Sequence, residues 1–269
     1  MFPPIQDRLS HLLEQHDTLF GMICRDASST DVELMAQEGY HIIWLDYEHS
    51  AQSLAEMLRL GRTIAHLNMV PLLRVSELSR TQVQTALDAG IQIVTLPNVT
   101  GAQQVRDLVS FGKYPPLGNR GVSTTNAGAG YTLGDDTRYT LDAVNEATHL
   151  MAMIEGEEGY EHLHEILDVR DCDMITVGPL DWATSLGLYG HQAQTELAPK
   201  IERLVSMAVD RGKTVALVVL DDAQQIQRYR EMGVRIFFIG EDIVLKRTMF
   251  SSALQEATLY EGYRNAKDE

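Results

Sequence analysis

Eight short apolar runs, rich in β-branched and aromatic residues, recur along the chain at intervals too long for hairpins. They are Leu19–Cys24, His41–Leu45, Val70–Arg74, Ile91–Leu96, His149–Ile154, Asp173–Val177, Thr214–Val219 and Arg235–Ile239. Their apolar residues sit at consecutive positions, the pattern of strands buried on both faces. Segments with helical spacing lie between them. Ser53–Ala65 places Leu54, Met57, Leu58, Leu60 and Ile64 on one stripe. Thr81–Ala89, Ala102–Ser110, Tyr160–Leu167, Leu197–Arg211 and Ala223–Met232 follow the same period. Strands separated by helices form a parallel sheet covered on both faces. Eight such units in 269 residues fit a closed (β/α)8 TIM barrel better than an open sheet. The pattern thus predicts one α/β barrel domain over residues 1–269. Ser10–Gln15 reads as a leader helix that plugs the barrel bottom, and Asp242–Ala257 as the last helix. Tyr114–Tyr139 breaks the rhythm, and loops of this length are often functional. Its glycines match neither phosphate-binding pattern, so a mobile or interface-forming loop is expected.

A net charge of −16 disfavours nucleic acid and anionic membranes as partners. No apolar run approaches membrane-spanning length, and Met1–Arg8 lacks the basic-then-apolar design of a secretion signal. Cys24 and Cys172 alone make no disulfide framework, which points to a reducing cytoplasm.

A barrel of this kind gathers its catalytic residues at the C-terminal ends of the strands. Asp46-Tyr47-Glu48-His49 follows the second run and brings two carboxylates and an imidazole, a set suited to proton transfer. Arg74 ends the third run, where a guanidinium needs an anion to hold. Glu155 ends the fifth, and Asp181 follows the sixth in Gly178-Pro179-Leu180-Asp181. Each has an ordinary alternative: a surface cation for Arg74, a helix-start acid for Glu155, an N-cap for Asp181. Their convergence on one end of the fold favours a site. Two carboxylates with few soft ligands nearby suit Mg2+ or Mn2+. His162-Leu163-His164-Glu165 is not a zinc motif and reads as solvated helix surface. Cys24 reads as a small core residue, and His41, His66, His149 and His191 as structural or surface groups. No strand end supplies a lysine for a Schiff base, since Lys113 and Lys213 sit at helix and loop boundaries.

These residues, in this order, resemble the metal-dependent (class II) pyruvate aldolases of the HpcH/HpaI family, which includes 4-hydroxy-2-oxoheptanedioate and 2-dehydro-3-deoxyglucarate aldolases. The landmarks are Asp46-Tyr47-Glu48-His49-Ser50, Pro71-Leu72-Leu73-Arg74-Val75, Leu87-Asp88-Ala89-Gly90, Tyr114-Pro115-Pro116-Leu117-Gly118-Asn119-Arg120-Gly121-Val122, Ile154-Glu155 and Gly178-Pro179-Leu180-Asp181. The resemblance spans roughly Gly21 to Leu254 and implies the same barrel. It implies cleavage of a 4-hydroxy-2-oxo acid to pyruvate and an aldehyde. Glu155 and Asp181 would bind a divalent cation (Mg2+, Mn2+ or Co2+). His49, oriented by Asp46, would manage the proton through a metal-associated water. Arg74 would hold the keto oxygen and stabilise the enolate, with Gly178, Pro179, Leu180 and Asp181 lining the substrate pocket. Asp88 would stand at a neighbouring-subunit contact in a homohexamer, a dimer of trimers paired through a swapped Asp242–Ala257 helix. Two places depart from the family pattern. Met153 stands where many members have glutamine, and Trp182-Ala183 where leucine-serine is usual. Rival readings are an acyl-CoA lyase of the citramalyl or malyl type, an oxaloacetate decarboxylase, and a non-catalytic metal-binding barrel.

Overall fold

A computed structural model describes residues 6–132, 137–220 and 222–261. Helix α1 (Arg8–Gln15) precedes β1 (Leu19–Cys24). Then come α2 (Ser29–Gln37), β2 (Ile42–Asp46), α3 (Leu54–His66), β3 (Val70–Arg74), α4 (Arg80–Asp88) and β4 (Ile93–Leu96). The middle adds α5 (Ala102–Gly112), α6 (Thr137–Glu146), β5 (His149–Ile154), the short helices α7 (Glu157–Glu161) and α8 (Leu163–Leu167), and β6 (Met174–Val177). Last are α9 (Pro179–Ser185), α10 (Gly190–Val209), β7 (Thr214–Val218), α11 (Ala223–Glu231), β8 (Ile236–Glu241) and α12 (Asp242–Glu261). The strands pair in sequence order, all parallel, and β8 returns to β1, so the barrel is closed. Eight strands and their helices are the (β/α)8 TIM barrel that the apolar runs predict.

Strand parity divides the core in two. Ile42 and Trp44 of β2, Val70 and Leu72 of β3, and Met151 and Met153 of β5 pack inside the barrel with Ile236 and Phe238. Their neighbours Ile43, Leu45, Leu73, Leu150, Ala152 and Ile154 point outward and pack with the helices. Because side chains alternate along a strand, the inward row continues to Asp46, Arg74 and Glu155 at the strand ends. Leu9 of α1 is buried in the same interior cluster, with Leu12 and Leu13 packed against it. The leader helix therefore plugs the floor.

That floor has its own ion cluster. His149, at the start of β5, is held between Asp7 Oδ1, 2.9 Å from Nε2, and Asp173, which contacts Nδ1. Burial opposes the imidazolium, but the two carboxylates outweigh it and push the His149 pKa up to about 9. Asp7 also caps α1, so the pair ties the leader to the barrel. His149, read from the sequence as structural or surface, is a buried structural group whose two carboxylate neighbours favour its charged form.

Several boundaries differ from the sequence reading. β2 runs to Asp46 and β8 from Ile236 to Glu241, which carries acidic residues onto the strand ends. α2 escaped because it buries only Val32 and so shows no wide apolar stripe; its signal is the Ser28–Asp31 capping box. α6 begins inside the expected loop. The loop through Thr132 is anchored rather than open: Tyr114 is fully buried, and its backbone N–H donates to Asn145 Oδ1 at 2.7 Å. Residues 133–136 lie outside the described residues. No described helix is long and apolar enough to cross a membrane.

Candidate active site

The register sets the first pair. Asp46 and Arg74 are direct neighbours at the ends of β2 and β3. Arg74 grips Asp46 with two parallel bonds, Nε to Oδ1 at 2.9 Å and Nη2 to Oδ2 at 2.7 Å. This fork geometry is one that arginine provides and lysine does not. Asp46 is fully buried. Burial works to raise its pKa, yet the hydrogen bonds and charge of Arg74, joined by Arg25, hold it below the usual carboxylate range. Arg74 Nη1 reaches Glu48 Oε2 at 3.0 Å and touches Met153 Sδ at 3.7 Å. Burial raises the Glu48 pKa, and the charge of Arg74 offsets this only in part.

His49 stands at the rim, with half of its side chain exposed. The expectation that Asp46 orients its imidazole needs correction. The Asp46 carboxylate is taken up by Arg74 and Arg25, and its link to His49 is to the backbone N–H, at 3.4 Å. The imidazole instead lies 3.8 Å from Glu48 Oε2.

Glu155 follows β5 and faces Gly178, which follows β6. Its Oε1 accepts the Asn98 backbone N–H at 2.6 Å, while the buried Oε2 has no hydrogen-bond partner among the described residues. A Cβ on residue 178 would overlap Oε2, so glycine is required to leave the carboxylate its space. Burial drives the Glu155 pKa up to about 7. The Asn98 bond and Arg74 oppose the rise, while the charges of Asp181 and Glu48 add to it. Asp181 thus lies near enough to Glu155 and Glu48 to raise both.

Asp181 is not an N-cap, since Gly178 holds that place and Asp181 lies in the first turn of α9. Pro179, Leu180 and Asp181 are exposed at the mouth. Trp182, the family departure, is fully buried, and its indole N–H donates to Glu157 at 2.6 Å. Asp88 lies apart, at the end of α4, paired with Arg120 at 2.5 Å.

Arg25 and Glu241 escaped the sequence reading. Arg25 follows β1, and its Nε and Nη1 reach Asp46 Oδ2 at 3.0 Å and Glu241 Oε2 at 2.6 Å. The strand-end rule applied to β1 and β8 finds both residues once β8 is extended to Glu241. The four lysines among the described residues are all engaged. Lys113 and Lys213 bind backbone carbonyls just before the starts of β5 and β6, away from the mouth. Lys200 pairs with Glu157 and Lys246 with Asp242. Cys24 is buried in the core, and burial raises its thiol pKa.

An unpaired buried carboxylate oxygen beside further negative charge is costly unless a cation shares the space. Among the described residues no three His, Cys, Asp or Glu side chains gather to hold a metal. Two carboxylates suffice for a hard cation that keeps other positions for water and substrate.

The family model described as HpcH/HpaI aldolase/citrate lyase matches residues 20–247, nearly the whole barrel. The chain belongs to that family. It is similar to a 2-keto-3-deoxy-L-rhamnonate aldolase of Salmonella gallinarum, 30% identical over 90% of each chain. A hydroxypyruvate/pyruvate aldolase of Roseovarius nubinhibens is also 30% identical, over 87% of this chain and 90% of that one. The solved HpcH/HpaI aldolase of Desulfitobacterium hafniense shares the fold with a TM-score of 0.87, at 23% identity over 96% of this chain and 99% of that one. Membership makes this protein an enzyme of the aldolase–lyase type. Both relatives are named as aldolases, which favours that branch over an acyl-CoA lyase or a non-catalytic barrel.

Proposed function

We propose that the chain is a divalent-metal-dependent pyruvate aldolase, which reversibly cleaves a 4-hydroxy-2-oxo acid to pyruvate and an aldehyde. The observation that carries this reading is Oε2 of Glu155, buried, without a hydrogen-bond partner among the described residues, set opposite Gly178 and within reach of the charge of Asp181. Glu155 and Asp181 would hold the cation, Mg2+, Mn2+ or Co2+. Once bound, it would supply positive charge to the oxygens of a 2-oxo acid and to the enolate. The names of the two relatives, one for a 2-keto acid and one for pyruvate, agree with such a substrate.

The chain's own groups divide the remaining work. Arg74 offers fixed donors to the substrate's keto oxygen and to the negative charge that grows there. Asp46 holds the guanidinium in plane. His49, exposed at the rim, takes the C4 hydroxyl proton. The C3–C4 bond then breaks, its electron pair becomes the enolate of pyruvate, and the aldehyde leaves. Protonation at C3 completes pyruvate. Gly178, Pro179, Leu180 and Asp181 form one wall of the pocket. No lysine chemistry is required.

Two wider expectations stand with this reading. The apolar residues exposed along α12, among them Met249, Phe250 and Leu254, fit a helix exchanged between copies in a homohexamer, with Asp88 at a subunit contact. Two buried free thiols suit a reducing cytoplasm.

The test is pyruvate α-proton exchange in deuterated water, together with cleavage of a panel of 4-hydroxy-2-oxo acids. Both should stop with chelator and return with Mg2+, Mn2+ or Co2+. Activity that survives exhaustive chelation and is lost on borohydride treatment with substrate would overturn the reading.

A further inference from the structure

A chain of alternating charges crosses four adjacent strand ends. Glu241 Oε2 lies 2.6 Å from Arg25 Nη1, and Arg25 Nε lies 3.0 Å from Asp46 Oδ2. The same Asp46 oxygen takes Arg74 Nη2 at 2.7 Å, and Arg74 Nη1 lies 3.0 Å from Glu48. Arg25 is not a wandering surface arginine. Its backbone N–H donates to Asp242 Oδ1 at 2.9 Å, its carbonyl accepts the Ser50 hydroxyl, and its guanidinium is engaged at two corners.

Asp46 and Arg74 already fix each other's geometry through a bidentate pair. What Arg25 changes is charge. Without it, Arg74 would answer to two carboxylates, Asp46 and Glu48, and would have little attraction left for an anionic substrate. With it, the Asp46 charge is divided between two guanidiniums. We propose that Arg25 is a positioning residue that shares Asp46 and so keeps the Arg74 fork electropositive toward the carboxylate and keto oxygen of a 2-oxo acid, with Glu241 opposing it. The inference rests on the reading of Arg74 as the substrate's donor.

Arg25 and Glu241 must then act with opposite sign. Glu241→Gln keeps a hydrogen-bond acceptor for Nη1 but removes a negative charge that competes for Arg25. Oxalate, a planar dianion shaped like the enolate of pyruvate, serves as the probe. Its Kd is measured by calorimetry with Mg2+ present, alongside the pyruvate KM and kcat. Arg25→Ala should weaken oxalate about tenfold, the scale of one charge at a short, partly screened distance. Arg25→Lys should recover part of that loss, and Glu241→Gln should tighten oxalate by roughly two- to fivefold. The change should fall on KM more than on kcat. A purely structural role predicts that Arg25→Ala and Glu241→Gln both weaken binding, and that result, or no shift in either, overturns the inference. Arg25→Lys and Glu241→Gln carry the test if Arg25→Ala does not fold. Wild-type protein that binds neither oxalate nor pyruvate overturns the proposed function as well. Wild-type binding with shifts of equal sign overturns the role of Arg25 alone.

Discussion

The mouth and the floor of this barrel both bury ionised groups, and they treat them in opposite ways. At the floor, His149 has a carboxylate on each ring nitrogen, and its charge is answered where it stands. At the mouth, Glu155 has one oxygen bonded and one left bare, while Asp181 and Glu48 add charge of the same sign. The floor cluster is closed and ties α1 to β5, so its work is cohesion. The mouth cluster gathers more carboxylates than guanidiniums, the setting in which the proposed cation would bind. Strand β5 links the two clusters, with His149 at its start and Glu155 just past its end. Burial alone does not distinguish a site from a staple; the state of charge compensation does.

Changing Glu155 should separate the two ends most sharply. Glu155→Gln keeps the shape and the bond from Asn98 but removes the charge. We expect kcat/KM to fall about 1,000-fold or more, several kcal/mol of lost charge stabilisation. The melting temperature should not fall, and the stabilisation that wild-type protein gains from added Mg2+ should vanish. A clear loss of stability in this variant would mean that Glu155 is a structural acid and would erase the contrast.

The reverse should hold at the floor. His149→Ala leaves Asp7 and Asp173 facing each other without a cation and should cost about 3 kcal/mol by denaturant unfolding. Activity of the folded fraction should stay near wild type. If kcat fell as well, the two ends would be coupled through the strands.

Acidity gives a third probe. His149 has a folded pKa of about 9, above its ordinary 6.5, so its contribution to stability is complete below pH 6.5 and is lost as pH rises through 9. Wild-type protein should lose up to about 3 kcal/mol across that window, and His149→Ala should show a flatter profile. Equal slopes would remove His149 from the account of the floor.

A smaller effect is expected at Met153, whose sulfur is a weak partner for Arg74. Met153→Gln offers the guanidinium a true acceptor and should change the pyruvate KM by less than about tenfold, since one such hydrogen bond is worth on the order of 1 kcal/mol. A loss as large as that of Glu155→Gln would place Met153 in the machinery itself.

Most of the architecture could be read along the chain. Runs such as Ile42–Leu45 and Val70–Leu73 are apolar at every position, because one face meets the interior and the other the helices. The landmarks Asp46, Arg74, Glu155 and Asp181 could be found because they interrupt apolar segments where strands end. Other features left little trace. α2 buries a single residue, so periodicity passed over it. Arg25 and Glu241 are ordinary charged residues in sequence, more than two hundred positions apart. They meet because closure sets β8 beside β1. The assignment of Asp46 to His49 came from the family resemblance, yet a carboxylate at a strand end faces across the sheet, and there Arg74 is its register partner.

By itself, the order of residues determined the eightfold alternation of strand and helix, since burial on two faces demands continuous apolar strands and amphipathic covers. It also placed Asp46, Arg74, Glu155 and Asp181 at or just past the C-terminal ends of their strands. Tertiary structure alone decided which charges cancel and which do not. Hydrogen bonds and Coulomb forces act over a few ångströms of space, and no spacing along the chain encodes that Glu155 would keep one oxygen bare while both ring nitrogens of His149 found a carboxylate.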